Sequence, residues 1–427
     1  MKTILTNSII NNKVQNLLIE NGFIAYIGTD MPDYDTLIDL QGKTLIPGLI
    51  DPHVHVRDLG QTDKEDWLSA SMSAVAGGIT MLFDMPNNKP PTVNLKNLNL
   101  KRKVARKSLV HYKFNIAVTE HNLDDVKEIL DTKPDDVAAL KLFLAGSSAN
   151  EYVEDTDAIK RIFNLSLRYD IPVIIHTELQ KCIEKYQAKV LNPTVLDHNY
   201  IRNRECANRG TELVVNLAKE IGNAVYIAHT STAEEIDIIR QNKDKARIYC
   251  EVTPHHLLLD ENILKQVGNF GKVNPPIRTK VDNLALWQGI ADGTVDTIGT
   301  DHAPHKISEK SQAYSQAPSG FPGLETLLPL LLNEVNKGNL SMAKLIELTS
   351  TNTAKIFKID KRGSLKPGNY ADLTVIDMNK QWKIEPNKFK TKAKYSPFAG
   401  FEGTGVPVGV FINGEWSKAT SRLNERD

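Results

Sequence analysis

Five short apolar runs in this chain each close on a residue type that ligates metals, and the first, LIPGLIDPHVHVR, closes on two. His53 and His55 stand two residues apart. Side chains alternate faces along a strand, so both imidazoles point the same way, and Arg57 joins that face if the strand continues. The other runs are AALKLFL with Lys141, IPVIIHTE with His176, AVYIAHTST with His229 and VDTIGTDHAPH with Asp301. A single His at a strand end is an ordinary polar boundary. Five such ends in series, in a chain with 11 His, point to strands that deliver their last residues to one place.

The stretches between these runs read as helices. Lys64 to Met85 holds one unit: an amphipathic EDWLSASMSAVA, a Gly77-Gly78 stop, then the strand ITMLFDM. Such alternation predicts a parallel sheet, and its extent, residues 48–357, suits an α/β fold of the (β/α)8 barrel type. Both ends of the chain have a different texture, of short strands broken by turns. They include the hairpin signal Asn21-Gly22 and the C-terminal strands of GSLKPGNYADLTVIDM and VGVFINGEW. Residues 1–47 and 358–427 are therefore expected to form one composite β-sandwich domain beside the barrel. The polar stretch at 187–209 reads as an excursion over the barrel mouth.

Bulk properties narrow the function. Lys plus Arg and Asp plus Glu are both 52, and the densest basic run, Lys101 to Lys107, reads as a solvated helix face, so nucleic-acid binding has no support. The N-terminus lacks the apolar core of a signal peptide, and no run of about 18 apolar residues occurs, which argues against a membrane span. The 3 cysteines are widely spaced, without a CxxC, and fit a reduced cytoplasmic setting.

Barrel enzymes place their chemistry at the C-terminal ends of the strands, so one mouth would collect His53, His55, Lys141, His176, His229 and Asp301. That set exceeds the needs of one tetrahedral zinc. It suits two metal ions ~3.5–4 Å apart that activate a water and polarise a carbonyl together. Lys141 is the awkward member, because an ammonium ~4 Å from a dication would be repelled by about 8 kcal/mol at an effective dielectric of about 20. Either it lies outside the coordination sphere or CO2 has converted it to a carbamate, a reaction that burial favours by supplying the neutral amine. Asp301 can both ligate and shuttle a proton. His302 and His305 follow too closely for all three to face inward. His255 and His256 are better read as packed loop residues. Arg57 can grip a carboxylate bidentately. Asn87 in MPNN is either an amide contact to substrate or a turn residue, and Asn274 in KVNPPIR is a weaker candidate.

These residues carry a resemblance. PGLIDPHVHVRDLGQTDKEDWLSASMSAVAGGITMLFDMPNNKPPT, followed in order by KLFL, EVTPHHL, NPPIR, DHAPH and GFPGLETLLPLLL, resembles the dihydroorotases, metal-dependent cyclic amidases of the amidohydrolase superfamily. The resemblance implies two zinc ions bridged by carbamylated Lys141 and a hydroxide. His53, His55 and Asp301 would serve one ion, and His176 and His229 the other. It implies that Arg57, Asn87, Asn274 and His305 hold the substrate while the Ser319-Gly320 loop closes over its ring. The implied reaction is the reversible cyclisation of N-carbamoyl-L-aspartate to L-dihydroorotate in pyrimidine synthesis, with Asp301 as general base and acid. The partners the resemblance implies are a small-molecule substrate and a second copy of the chain in a homodimer. Two alternatives stand beside it: an allantoinase or dihydropyrimidinase with the same metals, and a catalytically silent homologue that partners aspartate transcarbamoylase.

Overall fold

The computed structural model describes residues 2–146 and 152–418. Residue 1 and residues 419–427, at the outer ends of the expected composite domain, lie outside the described residues. Eight parallel strands follow one another around a barrel. They are β6 (Leu49–Val54), β7 (Ile79–Asp84), β8 (His111–Ala117), β9 (Val137–Phe143), β10 (Val173–His176), β11 (Val225–Ile227), β12 (Ile248–Val252) and β13 (Thr297–Ile298). Every residue of β6 and β7 is buried, as strands covered on both faces must be, which explains their nearly continuous apolar character. The ring closes through one parallel bridge between Val54 and His302, with the His55 amide donating to the His302 carbonyl at 2.8 Å.

The unit read at Lys64 to Met85 forms as the residues require. Asp66 caps the helix Trp67–Ala76 by accepting from the Ser69 amide, and the helix stops at Gly77. A Cβ at Gly77 would lie 2.0 Å from the Leu324 carbonyl oxygen, so only glycine lets this turn pack. Inside the barrel, Ile50, Met81, Phe83, Ile174 and Tyr226 form a core that Phe357 and Ile359 close from below.

A separate, mainly antiparallel sheet is built from the termini, in the order β16-β15-β14-β5-β1-β2-β3 with β4 on β1. Its strands are β1 (Lys2–Ile10), β2 (Lys13–Glu20), β3 (Phe23–Gly28), β4 (Thr36–Asp39), β5 (Thr44–Pro47), β14 (Leu373–Lys383), β15 (Glu402–Ile412) and β16 (Glu415–Lys418). β14 pairs with β5, so the two ends of the chain share one core of Leu5, Leu17, Ile24, Leu45, Leu373 and Phe411. Asn21 and Gly22 both adopt positive φ between β2 and β3, as a tight hairpin demands.

Three features depart from the sequence reading. Residues 384–401, expected within the β domain, reach the barrel instead: Tyr395, Phe398 and Ile384 pack against Val273, Phe321 and Leu330. The polar stretch at 187–209 becomes regular in its last part, where the helix Arg204–Ile221 begins. The expectation of reduced cysteines is also corrected. Cys182 and Cys206 form a disulfide between the helices Gln180–Gln187 and Arg204–Ile221, which bring their Cα atoms to 5.4 Å, and Cys250 is free and buried. Spacing along the chain could not reveal that contact. Among the described residues, no helix is long and apolar enough to cross a membrane.

Candidate active site

The strand ends converge on a cavity of about 550 Å³ lined by His53, His55, Lys141, His176, His229 and Asp301. Ligand-type atoms of His53, His55 and Asp301 all lie within 4.8 Å of one another. The Nε2 atoms of His53 and His55 stand 3.3 and 3.1 Å from Asp301 Oδ1. Their other nitrogens are committed, His53 Nδ1 donating to Glu251 Oε1 at 2.8 Å and His55 Nδ1 to Asn87 Oδ1 at 2.7 Å. Each Nε2 therefore turns a lone pair toward a carboxylate oxygen, an arrangement that calls for a cation between them. Burial alone would raise the Asp301 carboxyl, but the imidazoles of His53 and His55 hold it well below its ordinary value.

His176 and His229 repeat the pattern alongside. His176 Nδ1 lies 3.1 Å from His229 Nε2, and the His53 and His229 rings are 5.2 Å apart between centroids, so the two ligand groups adjoin. His176 Nε2 sits 3.0 Å from Glu178 Oε2. Arg202 grips that same oxygen through Nε at 2.9 Å and Nη2 at 2.6 Å. Although burial raises the Glu178 carboxyl, the Arg202 guanidinium and His176 outweigh it and keep it below the usual range. Burial pushes His55 down to about 4 and lowers His176 and His229 as well, which favours the neutral imidazoles that ligate metals.

Lys141 lies on β9, opposite Ile174 of β10 and Ala117 of β8. It is buried, and its Nζ has no hydrogen-bond partner among the described residues. Burial pushes its pKa down to about 8. An orphaned, readily neutralised amine at the meeting point of two ligand groups fits a carbamate far better than an ammonium.

Arg57 does not continue the strand. β6 ends at Val54, and Arg57 takes a left-handed φ of +65°, a costly conformation for a non-glycine residue. His229 (+37°) and Asp301 (+48°) share this strain. Arg57 is only 3% exposed, yet its Nε and Nη1 have no partner among the described residues. Lys64 Nζ donates to His305 Nδ1 at 3.3 Å, which leaves the proton on Nε2 to reach the Ser319 carbonyl at 3.0 Å. Asn274 Oδ1 accepts from Ser319 Oγ at 3.0 Å, and Gly320 holds φ +118° against Ala303, where a Cβ would clash at 2.6 Å. Arg57, Asn87, Asn274, His305, Ser319 and Gly320 thus all face the cavity. His255, His256 and His302 do not line it. His256 is tied to Thr253 and to the Pro275 carbonyl, and His302 Nδ1 accepts from the Gly323 amide.

The sequence matches the amidohydrolase family over residues 44–417. The chain belongs to that family. Among its curated relatives, the dihydroorotase of Methanosphaera stadtmanae is 36% identical over 93% of this chain and 92% of its own length. The dihydroorotase of Methanosarcina mazei is 35% identical over 92% and 88%. Among solved structures, the L-hydantoinase (dihydropyrimidinase) of Arthrobacter aurescens aligns with a TM-score of 0.92 at 27% identity, covering 99% of this chain and 97% of that one. The D-hydantoinase of a Thermus species aligns at 0.89 and 26%, covering 97% and 94%. This amidohydrolase is thus an enzyme acting on a small molecule.

Sequence reasoning missed the groups that orient the ligands of this amidohydrolase. Glu178 follows His176 by two residues, so strand alternation alone could have placed it beside that ring. Glu251 is a lone acid within the apolar strand IYCEV, fully buried, where it also accepts from the His229 amide and Tyr226 Oη. A charged residue in a buried strand was its signal.

Proposed function

We propose that this amidohydrolase is a dihydroorotase that interconverts N-carbamoyl-L-aspartate and L-dihydroorotate. The observation that carries the proposal is Arg57, a buried guanidinium with unspent donors facing the ligand cluster across one cavity. Burying such a group without a partner is costly, and a substrate carboxylate offsets that cost bidentately. Dihydroorotate and N-carbamoylaspartate carry that carboxylate; hydantoin, allantoin and dihydrouracil do not. The names of the curated relatives support the same reading.

His53, His55 and Asp301 would hold one zinc ion, His176 and His229 a second, and a carbamate on Lys141 would join the two. Bound there, the ions supply Lewis acidity and lower the pKa of water. In ring opening, water adds to the ring carbonyl as Asp301 accepts its proton; the carbon–nitrogen bond then breaks and Asp301 returns the proton to the departing nitrogen. Cyclisation runs the same transfers backwards. Arg57 fixes the carboxylate, with His305 and Asn274 shaping the wall and the Ser319-Gly320 loop covering the ring. Asn87 has a double task, since its Oδ1 already orients His55.

Purified zinc-loaded protein should be offered dihydroorotate, allantoin, hydantoin and dihydrouracil side by side. Turnover of dihydroorotate alone is expected. Turnover of any of the others with none of dihydroorotate overturns the proposal.

A further inference from the structure

Two buried lysines outside the ligand cluster have no part in the chemistry above. Lys310 is 0% exposed and Lys272 is 8% exposed, and the charged neighbours that perturb them are cations, Arg202 on Lys272 and Lys272 on Lys310. No ion pair is recorded for either among the described residues. Ammonium groups buried without a carboxylate are expensive, and a methionine would fill the same space more cheaply.

Three of their four hydrogen bonds go to the loop that borders the cavity, and the fourth ties Lys310 to the Lys272 carbonyl. Lys272 Nζ donates to the carbonyls of Tyr314 and Ala317, both at 2.7 Å, and lies 4.0 Å from the Tyr314 ring centroid. Lys310 Nζ donates to the Pro318 carbonyl at 2.9 Å and to the Lys272 carbonyl at 3.1 Å. The Gly320 amide returns a bond to the Lys272 carbonyl at 2.8 Å. Tyr395, from the segment the terminal sheet sends to the mouth, donates to the Gly320 carbonyl at 3.2 Å. Residues 315–320, which line the cavity, thus have the shape of their backbone set from beneath. Lys310 spends two N–H groups on two carbonyls. Lys272 spends two as well, on Tyr314 and Ala317, and its ammonium lies over the Tyr314 ring. Burial lowers Lys272 to about 8, so it stays mainly cationic at neutral pH.

We infer that Lys272, braced by Lys310, is a positioning residue: its buried amine latches the backbone of loop 314–320 and so sets the wall against which the substrate is held. The identity of that substrate rests on the dihydroorotase reading; the latching of the loop does not. Both substrates meet the same wall, so both directions of the reaction should feel its loss.

The test uses the zinc-loaded full chain. Lys272→Met should raise KM for N-carbamoylaspartate and for dihydroorotate alike, by about tenfold, the effect of losing the hydrogen bonds that hold the loop. It should change kcat by less than about threefold, because ligand geometry is untouched. Lys272→Arg should recover most of the lost KM. Hydrogen exchange across 312–320, followed without substrate, should speed up in Lys272→Met. It should also speed up in Lys310→Met, whose side chain does not line the cavity and which serves if the first variant fails to fold. Unchanged exchange in a folded variant overturns the latch. An unchanged KM for both substrates in a variant whose exchange has sped up overturns the loop's role in holding the substrate. Wild-type protein that turns over neither substrate would refute the functional reading, while the exchange measurement would still decide the latch.

Discussion

The floor and the rim of the cavity are built by different means. The floor is made of strand ends: His53, Lys141 and His176 sit on β6, β9 and β10, with Glu251 and Glu178 fixing the imidazoles. Ladder hydrogen bonds hold these residues, and their freedom is small. The rim is loop: Arg57 sits in a strained turn, and 314–320 is irregular backbone latched by side-chain amines. Chemistry that tolerates no misplacement rests on strand ends and the residues just past them, where His55, His229 and Asp301 stand, and recognition that must admit and release a substrate rests on loops. Damage to the floor should therefore appear in turnover and metal content, and damage to the rim in KM.

The largest expected effect is at Asp301. Asp301→Ala should cut kcat in both directions by on the order of a thousandfold, the usual loss of a proton shuttle, with thermal unfolding little changed. A variant that kept its kcat while raising KM would break the division between floor and rim. Next come the orienting carboxylates. Glu178→Gln and Glu251→Gln should weaken zinc binding by about 10–100-fold, measured by competition with a chelator, with KM in fully loaded protein nearly unchanged. Arg57→Met is the rim counterpart and should raise KM by about 100-fold, the loss of a bidentate charged contact, with metal content intact. An unaltered KM would remove Arg57 from substrate binding.

A fourth, smaller effect concerns pH. The Lys141 amine is lowered to about 8, so its neutral form dominates above that pH rather than above the ordinary value of about 10.4. Reactivation of metal-stripped protein by zinc, with dissolved CO2 held at one concentration, should speed up from pH 7 to 9 and level off beyond. Below pH 7 it should slow about tenfold per unit as the amine protonates. A rate independent of pH over that range would exclude the neutral amine as the reacting group.

Much of the site was legible before any coordinates. Strand alternation put His53 and His55 on one face, and the repeated apolar run with a polar end foretold a common mouth. Charge arithmetic singled out Lys141. The same reasoning put Arg57 on that face only if the strand continued, and the strand in fact stops at Val54; nothing local marks where the ladder loses its partner. It also paired none of the cysteines, since the Cys182–Cys206 contact depends on how two helices pack.

Residue type and period dictate which groups the chain can offer and which side of a strand they occupy, because both act over a few residues. Which groups meet is a long-range matter settled by closure of the barrel. Glu251 reaches His53 across 198 residues and His305 lies beside Arg57 across 248. Thr391, on the segment that reaches the barrel, bonds Glu65 across 326. No local pattern records such pairings. Burial then sets their chemistry: removal from water favours the neutral imidazoles of His55, His176 and His229, leaves Lys141 ready for CO2 and keeps the Arg57 guanidinium waiting for an anion.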